Sequence, residues 1–125
     1  MTKDEIERLA RAFFDAIESG DFGKIRDTYA SDAVIWHNFD GKESTRQENL
    51  ATLDGFIKAV PTRRYTQRRL DVFDGGFVQR HRLVGKLPNG KEVGLDACVV
   101  CTVRNGRITR LDEYFDSAAL AKWRE

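Results

Sequence analysis

The side chains able to do chemistry in this 125-residue chain are few, and they lie in stretches that are otherwise apolar. His37 closes the run Asp32-Ala33-Val34-Ile35-Trp36-His37-Asn38. Arg80, His81 and Arg82 interrupt a second run, and Glu113 alternates with Leu111 and Phe115 in a third. Ionisable groups in half-buried strands are costly unless they are paired or used. An imidazole needs little tuning to act as a general base near neutral pH. An arginine stabilises developing oxyanion charge, and a carboxylate orients either partner or serves as the acid. His37, Glu113 and Arg80 are therefore the candidate catalytic residues, with Arg82 and His81 as further catalytic or polar-pocket candidates. Strand alternation puts Arg80 and Arg82 on one face with Val78 and Val84, and Phe77, Gln79, His81 and Leu83 on the other. Periodicity alone leaves open which face points inward. If Arg80 does, its charge needs a partner, and Glu113 is the expected one. The plainer readings are a hydrogen-bonded structural histidine at position 37 and a solvent-exposed glutamate at 113.

The elements that must position these residues are legible from caps and turns. Thr2 and Glu5 form a capping box ahead of Ile6, Leu9, Ala10, Phe13 and Ile17 at helical spacing, and Gly20 ends that helix. Asp21 caps a second, shorter helix with Phe22, Ile25 and Tyr29 inside. Residues 32–38 are the first strand. Ser44 and Gln47 make a second capping box before a helix burying Leu50, Leu53, Ile57 and Val60, which Pro61 stops. Asp74-Gly75-Gly76, Pro88-Asn89-Gly90 and Asn105-Gly106 then separate strands predicted at about 64–73, 77–87, 91–104 and 107–115. Ser117 to Trp123 suggests a short tail helix. The pattern predicts an α+β fold over residues 1–125 as a single domain. Three helices from the N-terminal half would pack on a cone-shaped, curved antiparallel sheet. A mainly apolar pocket in the cone would be lined by Phe13, Ile17, Ile35, Phe56, Leu95, Ala97 and Phe115.

Composition narrows the function. Lys and Arg number 21 against 20 Asp and Glu, so no strong field favours nucleic acid or an anionic membrane. Arg63-Arg64 and Arg68-Arg69 around Tyr65 read as a solvated strand start. The two cysteines, Cys98 and Cys101, fall on opposite faces of a strand, which is poor geometry for a joint metal or redox site. We expect two buried thiols in a reducing, cytoplasmic setting, with no metal and no cofactor. No run approaches transmembrane length.

Glu18-Ser19-Gly20-Asp21 after the first helix and Ser31-Asp-Ala-Val-Ile-Trp-His37 opening the sheet, in the order helix–helix–strand–helix–four strands, resemble the nuclear transport factor 2-like superfamily. Its relevant branches are the SnoaL-like polyketide cyclases, the ketosteroid isomerases and limonene-1,2-epoxide hydrolase. Set against the isomerases, Phe13 takes the place of the helix-one tyrosine, His37 that of the aspartate base, and Val100 falls near the second aspartate. The base position stays titratable and the oxyanion pair is missing. Set against the epoxide hydrolase, Arg80 and Glu113 are retained in type, Arg82 replaces an aspartate, and Ile35 and His37 replace a tyrosine and an asparagine. The resemblance implies a cofactor-free enzyme acting on a small apolar or partly polar organic molecule: an isomerase, cyclase, dehydratase or epoxide hydrolase. The alternative is a non-catalytic ligand-binding or accessory module. Relatives commonly pair sheet to sheet, which implies a homodimer with Trp36 and Tyr114 at or near the interface.

Overall fold

The computed structural model describes residues 1–124. Helix α1 (Lys3–Ser19) begins at the Thr2/Glu5 capping box, where the Thr2 amide donates to the Glu5 carboxylate at 2.7 Å and the Glu5 amide to the Thr2 hydroxyl at 3.2 Å. Ile6, Ala10, Phe13, Phe14 and Ile17 form its buried stripe. Helix α2 (Phe22–Thr28) is capped by Asp21. Strand β1 (Tyr29–His37) starts earlier than the sequence predicts, so Tyr29 is a strand residue, buried to 1% exposure. A short strand β2 (Glu43–Thr45), not anticipated, pairs with Val34–Trp36. It draws Ser44 into register with Ile35 and leaves Thr45 to cap helix α3 (Arg46–Ala59), so the capping box is Thr45/Glu48 and not Ser44/Gln47. The sequence Ser-Thr-Arg-Gln-Glu satisfies both spacings, and strand pairing decides between them.

Strands β3 (Thr62–Phe73), β4 (Gly76–Lys86), β5 (Glu92–Arg104) and β6 (Arg107–Phe115) complete a curved, unclosed sheet of order β2-β1-β6-β5-β4-β3. It is antiparallel, as expected, with one exception: β1 and β6 run parallel. A parallel neighbour needs a long crossover, and everything from β2 to β5 supplies it. The inner face carries Ile35, Phe77, Val99, Cys101, Ile108 and Leu111 against α1. The outer face carries Val34, Trp36, Val78, Val84, Cys98, Val100 and Tyr114, all half-buried or exposed. Cys98 and Cys101 thus lie on opposite faces. A bulge at Gln67, whose φ of 54° is left-handed, breaks the β3 register between Thr66 and Arg69 and sharpens the local twist.

The two arginine pairs flanking Tyr65 do not stay together. Arg63 is 7% exposed and donates from Nε to the Ile17 carbonyl at 2.9 Å and from Nη1 to the Val60 carbonyl at 3.0 Å. One guanidinium therefore serves the carbonyl-rich ends of both α1 and α3. Arg68 pairs with Asp15 and Glu18 at 2.8 and 3.1 Å. Only Arg64 and Arg69 are exposed. Beyond β6, helix α4 (Ser117–Ala121) and a 3₁₀ turn (Lys122–Arg124) bring Trp123 onto Phe56, and its indole N–H donates to the Gly94 carbonyl at 3.2 Å.

Candidate active site

His37 and Glu113 are direct register partners in the parallel β1–β6 pair, so both side chains leave the sheet on its inner face side by side. His37 Nε2 lies 3.1 Å from Glu113 Oε1, and both side chains are about three-quarters or more buried, at 20% and 25% exposure. Burial alone would lower the His37 pKa. The hydrogen bond and charge of Glu113, helped by Asp40, outweigh it and hold the imidazole above its ordinary value. Phe39 stands 5.7 Å from the His37 ring and 5.6 Å from Phe115, forming an exposed aromatic rim. Asn38 ties that rim together by exchanging hydrogen bonds with the Phe115 backbone, both at 3.0 Å.

Behind the pair lies an interior cavity of about 50 Å³. Its walls are apolar, from Phe13, Phe14, Ile17, Leu53, Val99 and Leu111. Its polar groups are His37, Glu113, Tyr29, Asn49 and Tyr65. The Tyr29 hydroxyl donates to Asn49 Oδ1 at 3.0 Å. Burial pushes both phenols upward in pKa, with Glu113 adding to the effect, so each keeps its proton at any physiological pH. Among the described residues the Tyr65 hydroxyl has no protein hydrogen-bond partner, which leaves it a donor for whatever occupies the cavity. Next to Tyr65, His81 is 5% exposed, its ring 4.5 Å from that of Tyr65 and 5.3 Å from that of Phe14. Gln79 Nε2 donates to His81 Nδ1 at 3.0 Å, so the proton sits on Nε2, an N–H with no partner among the described residues. Burial drives the His81 pKa down to about 4, against weaker support from Glu113.

The sequence-derived candidates divide accordingly. His37, Glu113, Phe13 and Ile17 line the cavity, and His81 lies behind Tyr65. Arg80 and Arg82 do not join them. Both leave β4 on the outer face, Arg80 exposed and Arg82 paired with Asp96 at 3.0 Å, so the expected Arg80–Glu113 pair does not form. Two guanidiniums turned inward would need acceptors for all their donors, whereas Gln79 and His81 are neutral and share a hydrogen bond, leaving only His81 Nε2 without a partner among the described residues. Ile35 is core at 0% exposure, Leu95 and Ala97 are buried nearer the tail, Phe56 packs on Trp123, and Phe115 belongs to the rim. Sequence reasoning missed Asn49, Tyr65 and Tyr29 as cavity residues. The spacing of Asn49, Leu53 and Phe56 on one helical face was the available signal for the first. Among the described residues no cluster of three or more His, Cys, Asp or Glu is placed to hold a metal ion.

Comparison with known proteins follows the same lines. Among solved structures, an LEH-like epoxide hydrolase of M. tuberculosis superposes with a TM-score of 0.80 at 20% identity, over 97% of this chain and 90% of that one. A provisionally assigned polyketide cyclase of Xanthomonas campestris pv. campestris gives 0.83 at 20% identity, over 97% and 95%. An NTF2-like protein of unknown function from Burkholderia pseudomallei gives 0.83 at 17% identity, over 98% of each. At such identities the likeness establishes the fold and no activity. No curated protein sequence matches the chain. The SnoaL-like domain family matches residues 10–111, which include α2, every strand but the end of β6, and both His37 and the cavity walls. With that span matched, the chain belongs to the SnoaL-like domain family.

Proposed function

We propose that the protein is a small-molecule enzyme that works by cofactor-free proton transfer, with His37 as the base, Glu113 orienting it and balancing its charge, and Tyr65 as the hydrogen-bond donor to developing negative charge. The observation that carries this reading is the His37–Glu113 pair at 3.1 Å, set at the edge of a cavity whose other polar groups, Tyr29, Asn49 and Tyr65, are all uncharged. A raised imidazole pKa makes a stronger base, and a neutral phenol stabilises an oxyanion without the desolvation cost of a cation. The reaction class is an isomerisation, cyclisation, dehydration or epoxide hydrolysis, each of which needs one proton moved at a carbon or oxygen centre. Structural relatives described as a polyketide cyclase and an epoxide hydrolase support the class.

The cavity bears on where substrate sits. At about 50 Å³ it holds a water molecule or a small substituent, while organic substrates occupy pockets of roughly 300 Å³ or more. The substrate body therefore lies at the rim against Phe39 and Phe115, with its reactive end toward His37. The same small volume favours a second reading, a binding or accessory module that has kept the fold and filled the site. Turnover of panels of small epoxides, polyketide-like ketones and terpenoids, with His37→Ala and Glu113→Gln beside the wild type, separates the two. Loss of a positioned base costs about 10²–10⁴-fold in rate. Unchanged turnover in both variants, or binding with no turnover in the wild type, rejects the enzyme reading. We also propose a cytoplasmic homodimer joined through the outer sheet face around Trp36 and Tyr114, whose rings pack edge to face at 5.2 Å while Tyr114 stays 46% exposed. Light scattering giving the mass of a single 14.3 kDa chain refutes the dimer.

A further inference from the structure

The outer face of the sheet gathers cations that neither the fold nor the proposed chemistry uses. Strand pairing sets Arg64 opposite Val84, Arg82 opposite Thr66 and Lys86 opposite Thr62. Lys86, Arg64 and Arg82 thus lie in a zigzag of diagonal neighbours, within mutual reach of long side chains. One strand level further along, Arg69 and Arg80 are direct cross-strand partners, an arrangement of like charges that destabilises a sheet. Among the described residues Arg64, Arg69, Arg80 and Lys86 have no ion-pair partner, and Arg82 is held only by Asp96, itself 80% exposed. The chain as a whole carries a formal charge of +1, so this is a local concentration and not an overall bias.

The same face has a concavity to match. A groove of about 600 Å³ is walled by Arg64, Arg82 and Lys86, with one carboxylate, Glu92, at its edge as the cross-strand partner of Lys86, and Val84 and the backbone at Gly85 and Gly94 as its floor. Gly94 is what lets Arg82 lie there. A Cβ on Gly94 would stand 2.5 Å from one guanidinium nitrogen and 3.0 Å from its central carbon. Arg82 is thus laid across β5, donates from Nη1 to Asp96 at 3.0 Å, and keeps further donors that Asp96 does not occupy at the wall of the groove. We propose that this groove is a binding site for a small molecule carrying a phosphate or an equivalent multiply charged anionic group, gripped by Arg64, Arg82 and Lys86 over Val84. Planar guanidiniums suit bidentate contact with phosphate or carboxylate oxygens, and the lysine adds a mobile point charge. The site is on the opposite side of the sheet from His37 and Glu113, so it stands or falls independently of the proton-transfer chemistry.

Isothermal titration calorimetry with inorganic pyrophosphate and, separately, with citrate tests it on the intact chain and distinguishes phosphate from carboxylate as the preferred group. Expected is saturable one-site binding of one probe at moderate ionic strength, weakened about tenfold or more in Arg64→Ala and in Arg82→Ala. Two further variants guard against a trivial loss of fold. Asp96→Asn frees Arg82 from its carboxylate and should tighten binding, a gain that damage cannot produce. Gly94→Ala displaces the guanidinium end and should weaken it. Lys24→Ala, on α2, is the control and leaves the affinity unchanged. Non-saturable heats, equal affinity in Arg64→Ala and Lys24→Ala, or weaker binding in Asp96→Asn overturns the proposal. Binding of an acidic protein or anionic vesicle in place of both small probes overturns it as well.

Discussion

The chain has two histidines, and their surroundings pull their proton affinities in opposite directions. His81 stays neutral in the folded protein down to about pH 4, while in the unfolded chain it titrates at its ordinary value near 6.5. Between those limits the unfolded chain takes up a proton that the folded chain refuses, so stability falls as pH drops from 6.5 toward 4 and this contribution is spent below that. The interval corresponds to about 3 kcal/mol, a large fraction of a domain's stability. His37 has the opposite sign. Its folded pKa is raised, so the stability it contributes is complete below pH 6.5 and is lost as pH rises through its folded value. Two assays follow. NMR titration of the imidazole C–H resonances should show one histidine titrating above 6.5 and the other not before about 4. Urea unfolding of wild type and His81→Gln across pH 4 to 7 should show the variant losing about 3 kcal/mol less over that range, since the carboxylates contribute equally to both. Glu113→Gln should move the upper histidine downward, because burial is then opposed only by the distant Asp40. Parallel stability curves for wild type and His81→Gln, or two histidines titrating together near 6.5, would refute the reasoning.

Three further perturbations have outcomes set by the geometry. Tyr29→Phe leaves the buried Asn49 oxygen without its donor and should cost about 1–3 kcal/mol in urea unfolding. Arg63→Met removes the donors shared by the Ile17 and Val60 carbonyls and should cost about 3 kcal/mol, with amide exchange accelerated at both helix ends; Arg63→Lys should recover only part of that, since an ammonium lacks the fork. Gly76→Ala drives a methyl into the Cys101 carbonyl oxygen and the Phe73 ring, so a loss of several degrees in Tm is expected, and an unchanged Tm contradicts the close approach of β4 to β5 there.

The fold was legible wherever a local rule acts alone. The Thr2/Glu5 box, the Asp21 cap and the turns at Gly75, Gly90 and Gly106 marked the element ends, and the four later strands fall where the turn residues put them. It was illegible where two segments distant in sequence compete for the same residues. Ser44 looks like a helix cap until β2 pairs it with Ile35, and Tyr29 looks helical until β6 recruits it through Ile108. The candidate site shows the same division. His37 and Glu113 stood out as ionisable groups in apolar strands, but their partnership depends on the parallel register of β1 and β6, which no local pattern encodes. Asn49 and Tyr65 carry no charge and fit ordinary helix and strand patterns, so nothing in composition set them apart.

Strand β4 shows what sorts charge in this sheet, and the sorting bears on the chemistry. Its alternation offered two faces of similar apolar content, Phe77, Gln79, His81 and Leu83 against Val78, Arg80, Arg82 and Val84. The face that turns inward is the one whose polar groups can be neutral and share a hydrogen bond. The same constraint holds around the cavity. Arg63 and Arg68 come in from β3, yet the first is engaged by helix carbonyls and the second by Asp15 and Glu18. Neither lines the cavity, so its charge is confined to His37 and Glu113 and its remaining polar groups are neutral phenols and an amide. A reaction whose intermediate needs a cation for stabilisation is therefore poorly served there. One that moves a single proton between His37 and substrate, while a phenol holds the oxygen on which charge develops, matches what the interior retains.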